Sequence, residues 1–276
     1  MLLNNTSYTI PSSDGIDLFI RDYSLQNSNK VILIIHGLGE HSGRYLKLIQ
    51  DFNDKNISVF TIDIRGHGKS GGKRGHSPSY KQLMSDIQYF IKHVTNKISN
   101  QKYFLYGHSF GGNLVINYSF QKNQKINGII ATSPCIKPAI RPSRIKLFMG
   151  KLFQKLIPSL RLSSGIKING ISKNLQVIKD YINDPLNHNK VSIQLGLDIV
   201  SSGIYALENS QYITVPMLVF HGKNDELTSY SASKKLAENS GSNIKFIGFN
   251  DAYHEIHNEP EKAELLRNIF NWINSI

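Results

Sequence analysis

The pentapeptide Gly107-His108-Ser109-Phe110-Gly111 sets a serine between two glycines, each two residues away. It follows the apolar run Lys102–Gly107 (KYFLYG) and opens a helical pattern over Ser109–Phe120. In that context G-x-S-x-G is a strand-to-helix elbow. The sharp turn strains the serine, the glycines let the backbones pass, and the helix start offers N–H groups to a developing oxyanion. A serine hydroxyl attacks only when a base removes its proton, and the base needs an acid to orient it. Asp225, closing PMLVFHGKND, fits the acid, with Glu226 adjacent as its rival. His254, just after the run Asn243–Phe249, fits the base, and His257 is the competitor three residues on. The turn His36-Gly37-Leu38-Gly39 ends another apolar run. There the N–H of Leu38 is expected to join that of Phe110 as an oxyanion donor.

Other chemistry is less well supported. His36, His67, His108 and His221 fall in turns beside strand-like runs and read as structural or supporting residues. No histidine pair has metal-ligand spacing or a carboxylate partner, so no metal is expected, and the proposed chemistry requires no cofactor. The turn Asp63-Ile64-Arg65-Gly66-His67-Gly68-Lys69-Ser70 reads as scaffold. Cys135 is the single cysteine, which rules out a disulfide framework.

These residues need elements to hold them. Val31–His36 (VILIIH), Ile57–Ile64 (ISVFTIDI), Lys102–Gly107 and Gly128–Thr132 are short, continuously apolar runs, as strands buried on both faces require. Helical patterns near Arg44–Asp54, Tyr80–Val94 and Ser109–Phe120 alternate with them, which predicts parallel βαβ units. Stretches around Tyr8 and Leu18 suggest an antiparallel edge hairpin. The rhythm stops after Pro134, where residues 136–210 show helical stretches punctuated by prolines and no convincing strand. It resumes with Pro216–His221, a helix from about Ser229 to Glu238, Asn243–Phe249 and a last helix around Glu261–Ile273. The expected fold is α/β: a mostly parallel central sheet flanked by helices, with a helical cap inserted after the sixth strand. Residues 1–135 and 211–276 would form the core and 136–210 the cap.

The chain has 276 residues, 40% of them hydrophobic and 19% charged, which excludes disorder. Its net charge of +12 would suit nucleic acid were it spread out. It is not. Ten of the 32 basic residues lie within 137–179, which holds no Asp or Glu, leaving 22 basic against 20 acidic residues elsewhere. With no nucleic-acid motif and a nearly neutral remainder, nucleic acid is not an expected partner. The N-terminus lacks a signal-peptide pattern and no run of eighteen apolar residues occurs, so a cytoplasmic, soluble protein is expected.

Five segments in order, HGLGEHSGRY (36–45), DIRGHGKSGGKRG (63–75), GHSFGG (107–112), HGKND (221–225) and YHEIHNEP (253–260), resemble the monoacylglycerol lipase family of α/β-hydrolases and the related lysophospholipases. Tyr181-Ile182-Asn183-Asp184-Pro185-Leu186 resembles the family's cap turn. The resemblance implies a triad of Ser109, Asp225 and His254, oxyanion donors at Leu38 and Phe110, and a lid over an apolar acyl channel. It implies that Arg44, Tyr45 and His257 lie near the polar, glycerol end of the site. The expected activity is serine carboxylic-ester hydrolysis of monoacylglycerols or related lysolipids. An acyltransferase, a general short-chain esterase and a non-catalytic lipid-binding module are the rivals. The oligomeric state is not legible.

Within the basic segment, Arg144, Lys151 and Lys155 share one side of a helix, within roughly 40° at 100° per residue. Ile145, Phe148, Met149, Leu152, Phe153, Leu156 and Ile157 fill the other side, with Lys146 a misfit among them. This pattern suits a helix lying in a lipid interface, so peripheral association with an anionic membrane is expected. An ordinary cap helix with its apolar side on the core is the alternative.

Overall fold

Alternate residues of the central strands serve two different cores. Along β3 (Lys30–Ile35), Val31, Leu33 and Ile35 pack on one face of the sheet and Ile32 and Ile34 on the other. A strand buried on both sides must be apolar throughout, which is why its sequence does not alternate. The computed structural model describes residues 5–121, 125–140 and 142–276. The first four residues of the N-terminal stretch, and Arg141 of the basic segment, lie outside the described residues.

The remaining sheet strands are β1 (Thr6–Pro11), β2 (Asp17–Tyr23), β4 (Ser58–Ile62), β5 (Lys102–His108), β6 (Gly128–Thr132), β9 (Met217–Gly222) and β10 (Ile244–Phe249). They form one eight-stranded sheet in the order β1-β2-β4-β3-β5-β6-β9-β10. The pairs from β4 through β10 are parallel, while β2 pairs antiparallel with both β1 and β4, so the hairpin closes one edge. Among the helices, α1 (Leu46–Asn53) and α8 (Lys262–Ser275) cover one face through Phe52, Leu265 and Ile269. The other face takes α2 (Tyr80–Lys97), α3 (Phe110–Tyr118) and α7 (Tyr230–Asn239), through Phe90, Leu114 and Leu236. Each α2 and α7 start is capped by a serine, Ser79 and Ser229, whose hydroxyl accepts an orphan N–H.

Between β6 and β9 the chain forms α4 (Arg144–Leu156), α5 (Leu175–Asn183) and α6 (Ile193–Glu208). It also forms a feature the sequence did not announce. Residues β7 (Arg161–Ser163) and β8 (Lys190–Ser192) pair antiparallel as a separate two-stranded ribbon. The insertion is therefore not wholly helical. Three exposed residues reading RLS are too short a run to stand out as a strand, and the pairing depends on partners 27 to 31 positions apart rather than on local pattern.

Candidate active site

β5 and α3 are joined at Ser109, whose backbone has φ +55° and ψ −115°, a region that side chains other than glycine rarely occupy. Its neighbours explain why the turn is possible. A Cβ on Gly111 would sit 2.1 Å from the Ile35 carbonyl oxygen, and one on Gly107 would sit 2.3 Å from that of Gly111. Both positions require glycine for close passage. The hydroxyl of Ser109 makes no hydrogen bond among the described residues and lines a cavity of about 300 Å³.

His254 lines the same cavity and Asp225 lies behind it. Nδ1 of His254 is 2.7 Å from Oδ2 of Asp225. That carboxylate is fully buried and receives further donors: the N–H groups of Leu227 and Thr228 at 2.7 and 3.0 Å on Oδ1, and the Thr228 hydroxyl at 2.7 Å on Oδ2. His221 Nε2 is 3.1 Å from Oδ2. Burial alone would favour a protonated Asp225, but His254 and these hydrogen bonds outweigh it and hold the carboxyl well below its ordinary range. His254 is the mirror case. Burial opposes its cation, yet the adjacent Asp225 raises its pKa. Glu226, the rival acid, is exposed and contacts Lys167 at the cavity rim instead.

The turn at 36–39 faces Ser109. A Cβ on Gly37 would lie 3.2 Å from that of Ser109, and Leu38 lines the cavity. The N–H of Leu38 has no protein acceptor among the described residues. Phe110 is the first residue of α3, where helical geometry leaves an N–H unpaired. Two donors and a nucleophile-type hydroxyl thus border one cavity.

Of the three residues tied by resemblance to the polar end of the site, only Arg44 lines the cavity. Its guanidinium is bound to Glu40 and Glu255, and the Tyr181 ring covers it at 4.7 Å. Tyr45 and His257 are buried, stacked on each other with ring centroids 5.1 Å apart. Neither lines the cavity: Tyr45 ends the helical turn Ser42–Tyr45, and its stacking on His257 joins that turn to the turn Ile256–Asn258. His36, His67, His108 and His221 are all buried. His36 Nε2 accepts the Ile64 N–H at 2.9 Å, and His108 packs 4.6 Å from the His254 ring. The scaffold turn is held by Asp63, whose two oxygens accept the N–H groups of Ser42 and Lys69 at 2.8 Å each. Sequence reasoning missed Glu40, Glu255, Thr228 and Ser133, whose hydroxyl donates to the His254 carbonyl at 2.7 Å. The first two stand inside quoted motifs, which was the available signal. No group of three metal-ligating side chains occurs among the described residues.

The geometry has counterparts elsewhere. An uncharacterized abhydrolase domain-containing protein of Dictyostelium discoideum is 38% identical over 245 residues, covering 88% of this chain but 26% of that protein, so the chain spans about a quarter of its length. The phospholipase YtpA of Bacillus subtilis is 30% identical over 240 residues, 86% of this chain and 92% of the relative. The crystal structure of a Paleococcus ferrophilus monoacylglycerol lipase superposes with a TM-score of 0.82 at 33% identity, over 100% of this chain and 99% of that one. The serine aminopeptidase S33 profile matches residues 26–261. The chain belongs to this serine aminopeptidase S33 family, on an α/β-hydrolase fold.

Proposed function

We infer that this protein is a carboxylic-ester hydrolase that cleaves monoacylglycerols or related lysolipids, with Ser109 as nucleophile, His254 as base and Asp225 as the orienting acid. The observation that carries this reading is the 2.7 Å contact of His254 with a buried, fully hydrogen-bonded Asp225, beside a strained Ser109 on the same cavity. Ser109 attacks the ester carbonyl while His254 takes its proton. The N–H groups of Leu38 and Phe110 stabilise the oxyanion, a contribution of about 10²–10³ in rate per donor. His254 then protonates the departing alcohol, and water, activated in turn by His254, releases the fatty acid from Ser109. The substrate class rests on relatives named as lipases and phospholipases and on a cavity walled by Ile140, Ile166, Ile171, Ile199 and Leu227.

Residues 136–210 serve as the cap, and the cap is the membrane-facing part. α4 has no buried residue. Its inner side is Leu147, Gly150 and Gln154, leaning on α6 through Leu197 and Gln194. Several of its large apolar residues point away: Ile145 is 76% exposed, Phe148 69% and Leu156 70%. Arg144, Lys146, Lys151 and Lys155 are exposed and form no ion pair among the described residues. This favours an anionic lipid surface as the occupant over an ordinary cap helix with its apolar side on the core. Among the described residues no helix is long and apolar enough to cross a membrane.

The test is direct. Wild-type protein should react with a fluorophosphonate and release fatty acid from a monoacylglycerol, and Ser109→Ala should do neither. Side-by-side assay of monoacylglycerols, lysophospholipids, diacylglycerols and p-nitrophenyl esters fixes the substrate. Activity confined to short soluble esters would defeat the lipid reading, and products carrying the acyl group on added glycerol would favour transfer.

A further inference from the structure

In the cavity wall lies a polar network, Glu40, Arg44 and Glu255, that the reaction scheme above does not use. Glu40 Oε1 accepts the Gly37 N–H and the Tyr45 hydroxyl, each at 2.7 Å. Its Oε2 accepts Arg44 at 2.6 Å. The same guanidinium reaches across to Glu255 at 2.6 and 2.9 Å, and Glu255 Oε2 also accepts the Asn258 amide at 2.8 Å. The three charged side chains are 4%, 9% and 3% exposed for Glu40, Arg44 and Glu255. A substrate headgroup that recruited Arg44 would have to strip it from a buried carboxylate, which leaves an uncompensated charge. A headgroup contact is therefore the weaker use of this arginine.

The stronger use follows from peptide geometry. In a trans peptide the N–H of one residue points opposite to the carbonyl of the residue before it. Whatever aims the Gly37 carbonyl therefore aims the Leu38 N–H. That carbonyl lies 2.7 Å from His36 Nδ1. Because His36 Nε2 accepts the Ile64 N–H at 2.9 Å, its ring proton must sit on Nδ1, which makes it a donor to Gly37. The Gly37 N–H is fixed by Glu40 on the other side. Gly37 is thus gripped at both of its polar groups.

We propose that His36 and Glu40 are positioning residues that aim the Leu38 N–H, and that the Glu40–Arg44–Glu255 bridge locks this turn in register with the loop carrying His254. The proposal rests on the serine-hydrolase reading. The sequence places Glu255 next to His254, so one bridge spans the two halves of the machinery, the oxyanion turn and the base. The cap adds a lid to the bridge, with Tyr181 over Arg44 and its hydroxyl donating to the Gly39 carbonyl at 3.3 Å. The two carboxylates also favour the imidazolium of His254, a smaller influence than burial and Asp225.

Glu40→Gln and Glu255→Gln keep size and one acceptor oxygen, but each removes a charge and turns the other acceptor into a donor that cannot pair with Arg44. Rates are measured per active site, counted by fluorophosphonate titration, so that misfolded protein drops out. Glu40→Gln should lower kcat by about 10–10²-fold, the cost of a misaimed group, on lipid and on p-nitrophenyl ester alike. KM should stay within about threefold. In both variants the acid limb of the kcat/KM profile should move to lower pH, because a nearby negative charge that favours imidazolium is gone. Glu255→Gln supplies this readout alone should Glu40→Gln not fold. Unchanged kcat per site with an unmoved acid limb would overturn the proposal. So would a loss confined to KM for glyceryl esters, which would return Arg44 to headgroup binding. Failure of wild-type protein to label at all would instead sink the underlying reading.

Discussion

His254 is held between opposed influences whose balance can be measured. Burial disfavours its cation, while Asp225 at 2.7 Å favours it strongly enough to raise the pKa above the ordinary 6.5. As the proposed general base, His254 must be neutral to accept the serine proton. Activity should therefore rise with pH through a midpoint above 6.5, and a kcat/KM profile with its acid limb below that value would contradict the pairing. Asp225→Asn should keep the fold but lose about 10⁴ in kcat, since an amide no longer selects the correct tautomer. His257 behaves in the opposite sense. It is buried, its Nδ1 has no hydrogen-bond partner among the described residues, and its pKa is pushed down to about 4. A folded-state pKa below the unfolded one means that the unfolded chain takes up the proton first. Stability from this group is complete above pH 6.5 and drains away as pH falls towards 4. His257→Phe keeps the stack on Tyr45 and should flatten that part of the stability–pH curve, as denaturant midpoints at pH 7 and 5 would reveal. An equal slope in both proteins would mean that His257 does not stay neutral.

At the scale of elements, the proposed cap is fastened to the turn that follows β3 by its own short segment after α5. His188 donates its N–H to the Gly39 carbonyl at 2.9 Å, and Asp184 meets His41 Nε2 at 2.8 Å. Asp184 also accepts the Leu186 N–H at 2.9 Å, so one carboxylate both shapes the cap turn and anchors it. Asp184→Ala should speed proteolysis within the cap and lower kcat/KM by roughly tenfold, an order set by about 1–1.5 kcal/mol of lost anchoring. Equal protease half-lives for variant and wild type would refute the anchor. This segment also shows what a sequence can and cannot announce. The convergence of Ser109, Asp225 and His254 on one site was legible because each follows a recognisable strand, and β3, β5 and β9 declare themselves by unbroken apolar runs. The 161–163 and 190–192 ribbon has no such signature. Nor has the Arg44–Glu255 pair, 211 residues apart, because an ion pair across two loops leaves no local spacing to read. The burial of Tyr45 and His257 was equally hidden, since a motif names neighbours in sequence and not which way a ring faces.

For the whole molecule, the question is how an enzyme whose proposed substrates sit in lipid meets its surface. The exposed side of α4 combines Ile145, Phe148 and Leu156 with Arg144, Lys146, Lys151 and Lys155, in a segment of ten basic residues and no acid. Elsewhere the chain is nearly neutral, so the charge asymmetry itself would orient the cap towards an anionic surface. Each cation near such a surface contributes about 1 kcal/mol, and several together suffice for reversible docking. Screening shortens the reach of this attraction to about 8 Å at physiological ionic strength, so binding should weaken with salt. Changing Arg144, Lys151 and Lys155 to Glu should abolish cosedimentation with anionic vesicles while hydrolysis of a soluble ester survives. Phe148→Ser with Leu156→Ser separates docking from folding. Those side chains already face solvent, so their loss should shift stability by less than about 0.5 kcal/mol each yet weaken vesicle binding at every salt concentration. Binding that ignores lipid charge and both sets of changes would rule the surface out. A large drop in stability from the serine pair would instead mean that α4 packs its apolar side inward, as an ordinary cap helix does.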